Sequence, residues 1–385
     1  MPKHTMLFNS KLPNVGTTIF TVMSALAEKH GAINLAQGFP DFSPSERLVR
    51  LVADYLEKGY NQYAPMAGVP ALRERIVEKI AGLYGPSLDP IHEVTITAGG
   101  TQAIFTAIAA FVHPGDEVIL FEPAYDSYRP SIELAGGTAK AYELEAPGFR
   151  PDWEKFKRLI SSRTRMIVIN TPHNPSGTVL QQEDLLKLEQ LLQGTDILVL
   201  SDEVYEHLIF DGRQHQSILR FPGLRERGLA VYSFGKTFHA TGWKIGYCVA
   251  PAALMTEFRK VHQFNVFSVN TPIQHALADF MKDPHEYLGL GAFYHFKRDF
   301  FLDAMEGSRL KPLTCEGTYF LLCDYSAVSE EPDVEFARRM TVEYGVAAIP
   351  VSVFYQSPRE ERIIRLCFAK QDETLEKAGR LLRKI

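Results

Sequence analysis

Two lysines, Lys236 and Lys244, lie eight positions apart in SFGKTFHATGWKIGY (233–247) and pose the first chemical question of this sequence. An amine held in a closed site loses its preference for the charged form. A fall from about 10.4 to about 8 frees a nucleophile at a cost of roughly 3–4 kcal/mol. Lys244 and the hydroxyl of Ser233 suit a phosphate better. A solvated lysine does neither, so the reading depends on partners elsewhere in the chain. Four other stretches offer them. GGTQAIF, from Gly99, opens an apolar helix through Gly100, Thr101 and Gln102, and free N–H groups at a helix start suit an anion. EPAYDSY carries Tyr125, a plate on which a planar ligand can stack. TPHNPSGTV fixes Asn174 in a rigid turn with an amide to donate. SDEVYEHL ends an apolar run on Asp202, a carboxylate that needs a partner such as a protonated ring nitrogen, with Tyr205 three residues on. Each stretch alone has a plain structural account as a turn, a cap or a core aromatic.

The elements that must position these residues follow a regular pattern. Runs rich in Val and Ile at 94–98, 118–121, 166–170, 197–201, 230–234 and 246–250 are apolar on both faces, as strands covered by helices on both sides must be. Stretches such as TQAIFTAIAAFV (101–112) and QEDLLKLEQLLQ (182–193) have helical pattern and length. This predicts an α/β fold with a mostly parallel central sheet, in which ligands bind at the carboxyl ends of the strands. All five chemical stretches follow such strands in order. The 385 residues exceed what one core comfortably holds. We expect a large domain over 46–279 and a smaller α+β domain built from 1–45 and 280–385. There IFTVMSALAEKH, DVEFARRMTVEY and ETLEKAGRLLRKI read as helices, and TYFLLCDY and IIRLCFA as strands.

One ligand uses all five stretches: a planar pyridine with a phosphate, a phenolic oxygen, a basic ring nitrogen and an aldehyde, that is, pyridoxal 5′-phosphate. No G-x-G-x-x-G or G-x-x-x-x-G-K-[ST] points to a dinucleotide or P-loop site, and no H-E-x-x-H or Cys/His cluster points to a metal. The formal charge of −5 gives no electrostatic case for nucleic acid or an anionic membrane. No run reaches the ~18 apolar residues of a membrane span, and the N-terminal MPKHTMLFNSKLPNVG has no apolar signal core. The four cysteines form no C-x-x-C pair, and a reduced, cytoplasmic setting is expected.

At these motifs the chain resembles the class I/II aminotransferases of pyridoxal-phosphate fold type I. The resemblance runs from INLAQGFPDF through NQYAPMAGVPALRE, TPHNPSGTV, SDEVYE and SFGKTFHATGWKIGY to IIRLCFAK. The branch looks like the kynurenine/glutamine aminotransferases and, closer still, the bacterial methionine aminotransferases. The resemblance implies that Lys236 binds the cofactor aldehyde as a Schiff base and later moves the proton. It implies that Asp202 keeps the ring nitrogen protonated, that Tyr205 and Asn174 bond the ring oxygen, and that Tyr125 stacks on the ring. The phosphate would be met by Gly100, Thr101 and Gln102, mainly through backbone, with Ser233, Lys244 and Tyr63. That tyrosine comes from the partner subunit in the family, so a homodimer is implied. Arg365 would grip the substrate α-carboxylate, aided by Asn174 and the Gly38 backbone.

The implied reaction moves an amino group from an amino acid to a 2-oxo acid. TTIF and SVFY, with Phe20, Phe354 and Tyr355, read as an apolar or aromatic pocket. No second arginine for a dicarboxylate is evident, so methionine, phenylalanine, tyrosine, leucine or glutamine are expected ahead of aspartate. Asn270 in FSVNTP stands where the kynurenine branch carries a histidine, which argues against kynurenine. The competing reading is a cysteine-conjugate β-lyase with the same lysine. A non-catalytic regulator would need a DNA-binding domain, for which residues 1–45 are too short and too neutral.

Overall fold

The computed structural model of the protein describes residues 9–385. The first eight residues, part of the N-terminal stretch read above as lacking a signal, lie outside it. Seven strands form the central sheet: Val94–Thr97 (β1), Glu117–Glu122 (β2), Thr138–Glu143 (β3), Thr164–Asn170 (β4), Leu198–Asp202 (β5), Gly228–Ser233 (β6) and Gly246–Val249 (β7). Their order is β1-β7-β6-β5-β4-β2-β3. Only β7 runs antiparallel, to both β1 and β6. All six anticipated strands are present. The strand β3 was not anticipated, because TAKAYE carries two charged residues and sits half exposed at the sheet edge, with only β2 beside it. Strands such as β5, and β1 at the opposite edge, are buried at every position, and such strands leave a mostly apolar run in the sequence.

Helices cover the sheet. Gly100–Phe111 is apolar on most of its surface and packs between sheet and Ala252–Asn265. The sheet-facing cluster under it joins Ile104, Ile108, Val118, Val168, Leu200 and Val231. A second sheet, all antiparallel, runs Ile349–Pro350, Ile363–Cys367, Phe320–Asp324, Lys311–Pro312. The helix Ile19–His30, capped by Thr18 and ended by Gly31 in the left-handed region, leads to Ile33–Asn34, which pairs parallel with Val346–Ala347. All four cysteines are buried and free. Among the described residues no helix is long and apolar enough to cross a membrane.

Behind the turn that follows β5, two buried glutamates anchor the backbone. Glu203 accepts from Ser201, Tyr232 and the Ile218 N–H, and pairs with His215 at 2.8 Å. Glu206 is bonded by Lys79 and Tyr84. Burial works to raise the Glu206 carboxyl, but the Lys79 charge and these bonds outweigh it and hold it down at about 2. Lys79→Met is therefore expected to cost about 3–5 kcal/mol at neutral pH, because it strands a buried carboxylate. Since the carboxyl is held below its ordinary value, the difference between the two proteins in urea unfolding should be full above the usual carboxylate range. It should shrink as pH falls toward 2.

Candidate active site

The carboxyl ends of β4, β5 and β6 and the start of helix Gly100–Phe111 open onto one cavity of about 330 Å³. Lys236 and Lys244 both line it, so their eight-residue spacing does bring two amines to a single site. Lys236 rides the helical turn Phe234–Thr237 directly after β6. Its Nζ donates to the Gly38 carbonyl at 3.1 Å and to the Tyr319 hydroxyl at 2.9 Å. Burial pushes its ammonium down to about 8, with Arg365 and Lys244 acting in the same direction. Lys244 sits in the left-handed region, at φ 55°. Backbone strain of this kind persists where the surroundings hold it in place. A Cβ on Gly99 would come within 3.4 Å of the Lys244 Nζ. Gly99 itself has φ 81° and offers no side chain to cap the helix it precedes. Uncapped helix N–H groups, a close-approach glycine and an ammonium thus form one electropositive corner, lined also by Thr101 and Ser233.

At the other end of the cavity Asp202 closes β5. Its carboxylate accepts from the Tyr128 hydroxyl at 2.6 Å and the Val204 N–H at 3.3 Å. Burial still raises the acid to about 6, against those two bonds. A carboxylate in that state lacks a cation, and a protonated ring nitrogen would supply one. Asn170, at the end of β4, ties the neighbouring loops together: its amide donates to the Asp202 carbonyl at 2.8 Å and its oxygen accepts from the Asn174 N–H at 2.8 Å. Tyr125 lines the cavity wall, its hydroxyl 3.3 Å from that of Thr101. Tyr205 is buried, and burial drives its hydroxyl well above the ordinary range, so it stays protonated.

Arg365 projects from the central strand of the second sheet and is 1% exposed. One guanidinium nitrogen donates to Asn174 Oδ1 at 2.8 Å and another to the Ala36 carbonyl at 3.2 Å, while Nε has no partner. The rings of Phe320, Phe20 and Phe354 lie 3.9, 5.2 and 5.4 Å from the guanidinium carbon. Aromatic faces replace part of its lost hydration, and the cation remains short of an anion. Because Arg365 claims the Asn174 oxygen, the Asn174 amide is oriented as a donor away from it.

Phe354 and Tyr355 need correction as pocket residues, while Gln102 and Tyr63 are expected at the phosphate through backbone and through the partner subunit respectively. Gln102 does not present its side chain to the cavity. Its Oε1 accepts from the Ala98 N–H at 2.9 Å and its amide bonds Thr106 and His262, so its side chain ties the helix to Ala98 ahead of its start and any contact with an anion falls to its backbone. Tyr355 turns its hydroxyl to the Leu144 carbonyl, and Phe354 backs Phe20 without lining the cavity. Tyr63 stands 83% exposed beside Phe267 and away from this chain's own cavity. Tyr128, Asn170 and Tyr319 were not singled out from the sequence, although Tyr128 and Tyr319 lie within stretches quoted above and Asn170 closes the apolar run 166–170. Gly38 and Phe20 do line the cavity.

The residues fit pyridoxal 5′-phosphate: an electropositive corner for the phosphate, a buried acid lacking a cation for the ring nitrogen, and an amine of lowered pKa for the aldehyde. Lys236, Lys244, Gly100, Thr101, Ser233, Tyr125, Asn174, Tyr205 and Asp202 are the residues that would hold it. Comparison with known proteins agrees. The family model for class I and II aminotransferases matches residues 30–382. The chain is 55% identical to the methionine aminotransferase of Escherichia coli (strain K12) over 386 residues, 100% of both chains. An E. coli crystal structure described as identifying a methionine aminotransferase function superposes with a TM-score of 0.97 at 55% identity, covering 99% of this chain and 100% of that one. Kynurenine–oxoglutarate transaminase 1 of Mus musculus is 35% identical over 401 residues, 95% of each chain. The structure of N-succinyldiaminopimelate aminotransferase from Mycobacterium tuberculosis matches with a TM-score of 0.94 at 35% identity, over 98% of this chain and 100% of that one. With its sequence, fold and cavity in agreement over nearly the whole length, the chain belongs to the class I and II aminotransferases, enzymes that use pyridoxal 5′-phosphate to move amino groups between amino acids and 2-oxo acids.

Proposed function

We propose that the amino donor is a neutral hydrophobic, aromatic or sulfur-containing amino acid, methionine first, and that the acceptor is a 2-oxo acid. The observation that carries this is the cationic equipment of the cavity. Arg365 is the one arginine lining it among the described residues, enough for one α-carboxylate, and its surroundings are the rings of Phe20, Phe320 and Phe354. The 55% identity to an E. coli methionine aminotransferase supports the same donor. Asn270 caps the helix Thr271–Phe280 by accepting from the Ile273 N–H at 3.1 Å, a role that leaves no histidine at this position for a kynurenine-type contact. A panel of donors assayed with several 2-oxo acids tests the proposal. Methionine and phenylalanine should exceed aspartate, and equal or better rates with aspartate would overturn the apolar-pocket argument.

When bound, the cofactor supplies an electron sink that lets the donor's Cα proton leave. Lys236 carries that proton, its lowered pKa leaving a neutral amine available near neutral pH. Arg365 and the Asn174 amide hold the carboxylate and so fix the donor's orientation. Tyr205 and Asn174 would donate to the cofactor's ring oxygen, and Asp202 would supply the charge that keeps its ring nitrogen protonated. A carboxylate beside a cation moves the latter's pKa by about 1–3 units, so Asp202→Asn is expected to lower kcat about 10²-fold. The loss should be smallest at low pH, where the ring nitrogen protonates unaided, and a pH–rate comparison reads this directly.

The working unit proposed is a homodimer, with Tyr63 reaching the phosphate of the neighbouring site. Its support is a set of exposed aromatic side chains: Tyr63, Phe264 and Phe267 are 83%, 88% and 47% exposed, and the rings of Tyr63 and Phe267 lie 5.3 Å apart, an exposure that suits an interaction surface. The domain division at 46–279 against 1–45 with 280–385 is proposed on the two separate sheets, and a cytoplasmic setting on the four free cysteines.

A further inference from the structure

The Lys236 amine has a second address inside the site. Tyr319, in the turn leading into Phe320–Asp324, is fully buried, with its ring edge-on to those of Tyr205 and Phe320. Its hydroxyl donates to the Gly38 carbonyl at 2.7 Å. A phenol has one proton, so that bond leaves its lone pairs as acceptors. Lys236 Nζ meets them at 2.9 Å while also donating to the same Gly38 carbonyl at 3.1 Å. The three groups close a triangle in which each contact fixes the others.

We propose that Tyr319 is a catalytic residue whose hydroxyl is the fixed acceptor for the Lys236 amine whenever that amine is not covalently engaged, holding it in place to take and return the substrate proton. The hydroxyl itself gives up no proton: burial, with Tyr205 next to it, holds it well above the ordinary tyrosine range. The same triangle ties the amine to Gly38, on the loop whose Ala36 carbonyl receives Arg365. Amine and carboxylate clamp are thereby set relative to one another. The inference rests on Lys236 being the reactive lysine.

An acceptor for an ammonium favours its charged form, so removing it lowers the amine's pKa. The other groups facing Lys236 are Asp202 on β5, Lys244, Arg365 and Cys367 on the strand Ile363–Cys367, and the Tyr205 ring at 5.6 Å. Tyr319→Phe leaves all of them in place and keeps the aromatic packing. In full-length protein freed of cofactor, competitive labelling with an amine-reactive anhydride across pH, read by mass spectrometry, reports the titration of Lys236. It should move down by about one pH unit in Tyr319→Phe, the weight of one hydrogen bond to a charged group. Lys79, buried and bonded to Glu206 and Tyr247, should stay unreactive in both proteins. In the loaded enzyme kcat should fall about tenfold with the donor KM within about twofold, since positioning rather than binding is lost. An unchanged Lys236 midpoint, an unchanged kcat, or new reactivity of Lys79 each overturns the proposal. Failure of borohydride to trap cofactor on Lys236 in the unsubstituted protein would instead remove the reading beneath it, while the labelling midpoint would still report the contact.

Discussion

Lys236→Ala is expected to lower kcat/KM by at least about 10⁴-fold with methionine and any 2-oxo acid. Two losses combine. Proton transfer by a positioned side chain is worth about 10²–10⁴-fold, and covalent engagement of the cofactor is lost with the amine. No other amine replaces it: Lys244 lines the same cavity but stands against Gly99 at the helix start, and Lys79 is held by Glu206 outside the cavity. Steady-state rates and visible absorbance after borohydride treatment check this together. The variant should bind cofactor without retaining it covalently, and retention after reduction would locate the reactive amine elsewhere. The fold should be indifferent, because Lys236 makes two hydrogen bonds and no salt bridge among the described residues.

Arg365→Met should separate catalysis from stability in opposite directions. Two charge-assisted hydrogen bonds to a carboxylate, at about 1.5–3 kcal/mol each, set a loss of about 10³-fold in kcat/KM, shared by donor and acceptor because both carry the α-carboxylate. Without substrate, however, the guanidinium is a buried cation held by neutral oxygens, with Nε unpartnered. Burial alone pulls its pKa down. An apolar side chain of similar length removes that desolvation cost, so the thermal midpoint should be unchanged or higher. Arg365→Lys should recover little activity, since a point charge cannot reproduce the planar fork. A variant equally impaired in stability and turnover would instead make Arg365 a structural residue.

The order of chemistry along the chain was readable because most strands of the main sheet are buried on both faces. Continuous apolar runs such as VTIT and LVLSD stand out from their neighbours, and each ends where a polar residue must face the cavity. Asp202 is the clearest case, a carboxylate at the last position of a fully buried strand. The edge strand β3 left no such signal, since its own charged side chains stand partly in the open. Gln102 shows the limit at finer scale. Its residue type does not say where its side chain turns, and only the fold sets its Oε1 on the Ala98 N–H at 2.9 Å.

Residue types, turn chemistry and the alternation of strand with helix depend on neighbours close in the chain, and to that extent the sequence alone fixes fold class, cofactor class and the residues at each strand end. The partners of those residues are another matter. Tyr319 and Gly38 are 281 positions apart, Arg365 and Asn174 191, and Tyr128 and Asp202 74. Hydrogen bonds at such separations are set by how the two sheets and the N-terminal loop pack, and no local pattern encodes them. The tertiary structure therefore decided which tyrosine meets the lysine, which way the Asn174 amide faces, and that Arg365 sits among aromatic side chains with no salt bridge among the described residues.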